Sequence, residues 1–74
     1  MREAIDKAFL IKFGTRLNEL RILKNLSYRK MAQQCKIDHS DIAKYELGET
    51  NITLLTLNEL AKGLDVDPKE LLNF

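Results

Sequence analysis

Ser27-Tyr28-Arg29-Lys30-Met31-Ala32-Gln33-Gln34-Cys35-Lys36-Ile37-Asp38-His39-Ser40-Asp41-Ile42-Ala43-Lys44-Tyr45-Glu46-Leu47-Gly48 is the stretch whose reading decides the fold. Ser27 and Asp38 each stand just ahead of a helical pattern, where a short polar side chain takes up the free N–H groups of a first turn. Met31, Ala32 and Cys35 supply the inner face of a helix expected from Tyr28 to about Cys35. Lys36-Ile37 is a connector. A second helix is expected over about 39–47, with Ile42, Tyr45 and Glu46 on one side, Asp41 as a partial capping-box analogue, and Gly48 as the stop. The small Ala32 lets the two helices cross closely, and Ile37 with Ile42 fills the angle between them.

Upstream, Phe9, Phe13, Leu17 and Leu20 recur at steps of four, four and three, which is one face of a helix from about Glu3 to Lys24. Gly14 lies inside it at a cost of roughly 1 kcal/mol relative to Ala. Either backbone crowding demands it, or the helix begins or bends there. Asn25 tolerates left-handed geometry and marks a stop. Downstream, Glu49 to Ile52 is a polar loop, and Thr53 caps a helix with Leu54, Leu57, Leu60 and Ala61 inward and Gly63 at its end. Asp67-Pro68-Lys69-Glu70 combines an N-cap, Pro at the first helical position and Glu at the third, so a short fifth helix follows and carries Leu71-Leu72-Asn73-Phe74. Alternation suited to strands is absent. The expected architecture is an all-α, five-helix bundle.

Seventy-four residues hold one core, divided here into a helical extension over 1–12 and a main domain over 13–74. An apolar share of 45% suffices to fold, although domains of this size bury a low fraction of their surface. One cysteine makes no internal disulfide, and one His with one Cys falls short of a structural zinc site, so no metal or cofactor is expected. Self-association is the remaining common remedy. No apolar run approaches 18 residues and acids open the chain where a secretory signal would be basic. A cytoplasmic protein without membrane contact is the expectation.

Net charge is only +1, but it is unevenly spread. Residues 1–30 carry eight bases and three acids, a net +5, and residues 31–74 carry four bases and eight acids, a net −4. Such asymmetry hints at a polyanionic partner for one half. The outward residues of the 39–47 helix, His39, Ser40, Ala43 and Lys44, are polar or small. They suit a helix whose N-terminal end must approach base edges closely. No nucleophile–base pair has useful spacing, so an enzyme is not expected.

From Phe13 to Leu72 the chain resembles the phage-repressor-like (Xre/Cro) helix-turn-helix family. The resemblance rests on Phe13-Gly14-x-x-Leu17-x-x-Leu20-Arg21, on Leu26-Ser27-Tyr28-Arg29-Lys30-Met31-Ala32, on Ile37-Asp38-His39-Ser40-Asp41-Ile42, on Tyr45-Glu46-x-Gly48 and on Leu57-x-x-Leu60-Ala61-x-x-Leu64-x-Val66. It implies a repressor-like bundle that binds double-stranded DNA sequence-specifically in transcriptional control, as a homodimer. By position it implies base reading by His39, Ser40 and Lys44. It implies phosphate contact by Tyr28, Arg29, Lys30, Thr50 and Asn51, with Tyr28 equally suited to packing. Arg21 and Glu46 fall on positions that pair inside the domain.

Three departures accompany the match. Lys36 stands where the family has a turn glycine, so either the backbone is strained left-handed there or the turn differs. Ile52 replaces a frequent Pro, and Glu49 and Asp41 add acid near the expected DNA face. Those acids favour the alternative, an antitoxin-like or protein-interaction module on the same fold with weak DNA contact. Phe9-Leu10-Ile11 and Leu71-Leu72-Phe74 are apolar surpluses that either finish the core or form a dimer interface.

Overall fold

Four of the five helices begin where a short polar side chain closes the first turn. The computed structural model describes residues 2–74, which form α1 (Arg2–Leu23), α2 (Tyr28–Ala32), α3 (His39–Glu46), α4 (Leu54–Leu64) and α5 (Pro68–Leu71), with no strand among the described residues. Ser27 accepts from the Lys30 N–H, Asp38 from that of His39, Thr53 from that of Thr56 and Asp67 from that of Lys69. Each bond satisfies a donor that the helix itself leaves free. Asn25 ends α1 with φ 58° and Gly48 follows α3 with φ 71°, both in the left-handed region.

The other helix ends differ from the sequence expectation for reasons of packing. α2 stops at Ala32 rather than Cys35. Cys35 still turns inward, its thiol near the Met31 carbonyl, but the Lys36 N–H leaves the helical direction and donates to Glu59 Oε1 of α4 at 3.0 Å. Lys36 is therefore not left-handed; Asn25 and Asp65 are the only non-glycine residues with positive φ among those described. Gly63 lies inside α4 instead of ending it, and Asp65, at φ 56°, is the stop. A Cβ on Gly63 would sit 3.0 Å from Met31 Cγ and 3.1 Å from Cys35 Sγ, so its bareness lets α4 approach α2. Leu54, expected inward, is 82% exposed, and α5 ends at Leu71 rather than running to Phe74.

The core is built from Phe13, Leu17 and Leu20 of α1, Met31 of α2, Ile42 of α3, Leu57, Leu60, Ala61 and Leu64 of α4, and Leu71 of α5. Ala32, Ile37 and Tyr45 pack against it partly buried. Gly14 is where α1 meets α3. A Cβ there would overlap the Glu46 carbonyl and lie 2.6 Å from that of Tyr45, so close backbone approach, not a bend, accounts for this glycine.

α1 runs unbroken through the boundary at residue 12, so the extension is the front half of one 22-residue helix. At 1.5 Å per residue it spans roughly 33 Å and sets the 37 Å long axis of the molecule. Its Phe9 ring meets that of Phe74 at 5.5 Å between centroids. The two apolar surpluses of the sequence are thus one surface, apart from Leu71, which belongs to the core.

Candidate nucleic-acid interface

α3 is held from behind by a buried polar knot. Glu46, with 4% of its side chain exposed, accepts from Arg21 at 2.6 and 3.2 Å, from Asn18 Nδ2 at 2.8 Å and from the Tyr28 hydroxyl at 2.8 Å. The remaining Arg21 nitrogen donates to the Leu26 carbonyl at 2.8 Å, and the guanidinium lies 4.1 Å over the Tyr28 ring. Three helices are thereby fixed to one carboxylate. The hydrogen bond to Glu46 holds the Arg21 guanidinium above its ordinary pKa and pushes the Tyr28 phenol up. Arg21 and Glu46 form the internal pair expected of them.

The knot also decides where Tyr28 points. Its proton is engaged by Glu46, so a phosphate oxygen at this position competes with a carboxylate already in contact. Asn18 was missed in the sequence, although it precedes Arg21 by three residues and so shares its helix face.

The outer side of α3 is arranged differently. His39, Ser40 and Lys44 lie along one helix, with Ser40 and Lys44 exposed and His39 half-buried. Ser40 Oγ donates to Asp38 Oδ2 at 2.8 Å, and His39 Nδ1 lies 3.2 Å from Asp38 Oδ1. The Ser40 hydroxyl, with help from His39, draws the Asp38 carboxyl below its usual range. Asp38 is therefore both the cap of α3 and the group that organises its first two side chains, a role that the sequence reading gave only as a cap. Leu47, just past α3, is exposed and was not singled out.

Around this helix, Arg29 and Lys30 are exposed on α2. Like Lys44, neither forms an ion pair among the described residues, whereas Arg16, Arg21 and Lys62 all do. Thr50 and Asn51 are exposed in the loop after Gly48; Asn51 Oδ1 accepts from the Ile52 N–H at 2.9 Å. Asn51 also borders an open apolar groove of about 320 Å³ lined by Phe9, Leu10, Phe13, Ile52 and Leu57. It thus sits between the polar face and the apolar one. Among the described residues no three His, Cys, Asp or Glu side chains cluster to hold a metal, and no helix is long and apolar enough to cross a membrane.

A model of the helix-turn-helix domain matches residues 14–73. The control protein C.BamHI of Bacillus amyloliquefaciens is 35% identical over 63 residues, covering 84% of this chain and 78% of that protein. The control protein C.MunI of a Mycoplasma species is 34% identical over 62 residues, covering 82% and 84% respectively. The crystal structure of the restriction-modification controller protein C.AhdI from Aeromonas hydrophila superposes with a TM-score of 0.82 at 42% identity, over 86% of this chain and 97% of that one.

Proposed function

The chain belongs to the helix-turn-helix family of DNA-binding transcriptional regulators, and from that premise we propose that it is the repressor-like control protein of a restriction–modification system, acting inside the cell as a homodimer on operator DNA. It works by occupancy, not by catalysis. The observation that carries this reading is the contrast on α3: a face locked by Glu46 behind, and a face of short polar side chains with uncommitted cations in front.

In this reading α3 enters the major groove and presents His39, Ser40 and Lys44 to base edges. Arg29 and Lys30, with the loop at Thr50 and Asn51, hold the phosphates that fix register. Two copies place their α3 helices about one helical turn, roughly 34 Å, apart on a symmetric site. The second copy is taken up by the apolar surface where Phe9 meets Phe74 and lines a groove with Leu54 and Leu72. A monomer of this size leaves that surface in water at a cost of about 25 cal/mol per Å².

Fluorescence anisotropy on a selected duplex tests the DNA reading. Four phosphate contacts per dimer, from Arg29 and Lys30 of each copy, give a salt slope near −3.6, or roughly a hundred-fold loss of affinity between 50 and 200 mM salt. Affinity indifferent to salt in that range contradicts the reading. Sedimentation tests the dimer: Leu54→Glu should yield monomers at concentrations where the unaltered chain is dimeric, and a monomeric unaltered chain at high micromolar concentration overturns this part.

A further inference from the structure

The first turn of α3 carries its polar groups in a defined protonation pattern. A serine hydroxyl has one proton, and an ionised carboxylate can only accept. The 2.8 Å bond from Ser40 Oγ to Asp38 Oδ2 therefore uses the Ser40 proton and leaves lone pairs toward solvent. The other oxygen of Asp38 lies 3.2 Å from His39 Nδ1, so a proton on that nitrogen faces the carboxylate. Asp41 follows one residue after Ser40, and its carboxylate meets no donor within hydrogen-bond or ion-pair distance among the described residues. Ser40 and Asp41, adjacent in the chain, thus present acceptors, and the donor Lys44 comes only one turn later.

We propose that Asp38 is a positioning residue that sets base preference: by taking the Ser40 proton it makes the first turn of α3 an acceptor face, selective for the exocyclic amino groups of cytosine N4 or adenine N6. Resting on the DNA reading above, the assignment narrows it to a base chemistry. In the major groove guanine and thymine offer only acceptors at the equivalent positions, O6 with N7 and O4, and these repel an acceptor face. Asp41 then ceases to be an anomaly on a DNA-binding surface, since carboxylates accept from the cytosine amino group. Asp38 touches no base in this scheme. It acts through the side chains it holds.

The test uses the full chain and a pool of random duplexes. The Ser40 contact is located as the position whose base preference disappears in Ser40→Ala. Cytosine or adenine is expected there on one strand in sites selected by the unaltered protein. Replacing that base by its analogue without the amino group, 2-pyrimidinone for cytosine or purine for adenine, should weaken binding roughly ten-fold for the unaltered protein and leave Ser40→Ala unaffected. Asp38→Asn supplies the sharper result. Asn caps a helix as well as Asp does, but its amide nitrogen donates to Ser40 and frees the hydroxyl proton, so preference at that position should move to guanine or thymine. Circular dichroism confirms that the variant is folded; should it unfold, the amino-group replacement decides alone. Guanine or thymine preferred by the unaltered protein at the Ser40 position overturns the proposal and leaves the DNA reading intact, as does an Asp38→Asn variant with unchanged preference. Failure of the folded, unaltered chain to select any duplex overturns the DNA reading itself.

Discussion

The two sides of α3 both carry polar side chains, and they use them in opposite ways. Behind the helix, every donor around Glu46 is satisfied: Arg21, Asn18 and Tyr28 all end on one buried carboxylate. In front, among the described residues, Lys44 has no ion-pair partner, and the Ser40 and His39 side chains are tied only to Asp38, which lies beside them at the surface. A buried polar group left without a partner is costly, whereas an exposed one is held by water until a ligand replaces it. Stability is therefore concentrated on one side of the helix and recognition on the other. Substitutions should separate the two.

Glu46→Ala is the largest test of the separation. It strands the Arg21 guanidinium, and breaking a buried pair of this kind costs about 3–5 kcal/mol. In a domain this small urea denaturation should show most of the stability gone; a loss under about 1 kcal/mol would show that the knot does not brace α3. Gly14→Ala comes next, because the added Cβ runs into the Glu46 carbonyl. Overpacking typically costs about 1–3 kcal/mol, against which the helical preference of alanine returns roughly 1 kcal/mol. Since α3 must shift to make room, DNA affinity should fall as well, and unchanged affinity would mean the two sides are not mechanically joined.

Tyr28→Phe removes one hydrogen bond to Glu46 and should cost roughly 1 kcal/mol at neutral pH. The bond raises the Tyr28 pKa in the folded state above the unfolded value near 10. Its contribution is then complete below pH 10 and is lost as pH climbs from there through the folded pKa. Denaturation curves of the two proteins should converge in that alkaline window and stay apart below it. The smallest effect on stability is expected from His39→Ala and Lys44→Ala, each within about 0.5 kcal/mol. Yet each should weaken DNA binding by about 1–3 kcal/mol, which anisotropy resolves easily. The two substitutions that touch stability least are thus expected to weaken binding.

Helix starts were legible in the sequence because a cap is a local event. Ser27, Asp38, Thr53 and Asp67 each bond a backbone N–H within three residues, and all four stand where the pattern put them. Helix ends were not, where tertiary packing governs them. Gly63 resembles a stop, but its bareness serves the approach of α4 to Met31 and Cys35, and the turn falls to Asp65. Leu54 fits the apolar stripe of α4 yet lies outside the core, exposed in the open groove that it lines with Phe9 of α1 and Leu72. Arg21 with Glu46 was readable through family resemblance. The convergence of Asn18 and Tyr28 on the same carboxylate needs the relative placement of three helices, which no local pattern encodes. Nor could separate apolar ends of the chain announce that Phe9 and Phe74 touch.

The bond from the Lys36 N–H to Glu59 has a bearing on how such chains are found. It lets the connection between α2 and α3 close without glycine and without a left-handed residue. Glu59 is kept in its charged, accepting form chiefly by Lys62 on the next turn of α4, with the Lys36 amide adding to it. A genome scan that demands glycine at this turn would pass over the chain. One that instead pairs a non-glycine turn with a glutamate twenty-three residues downstream, and a lysine three beyond that, would recover it and others that close the turn in the same manner.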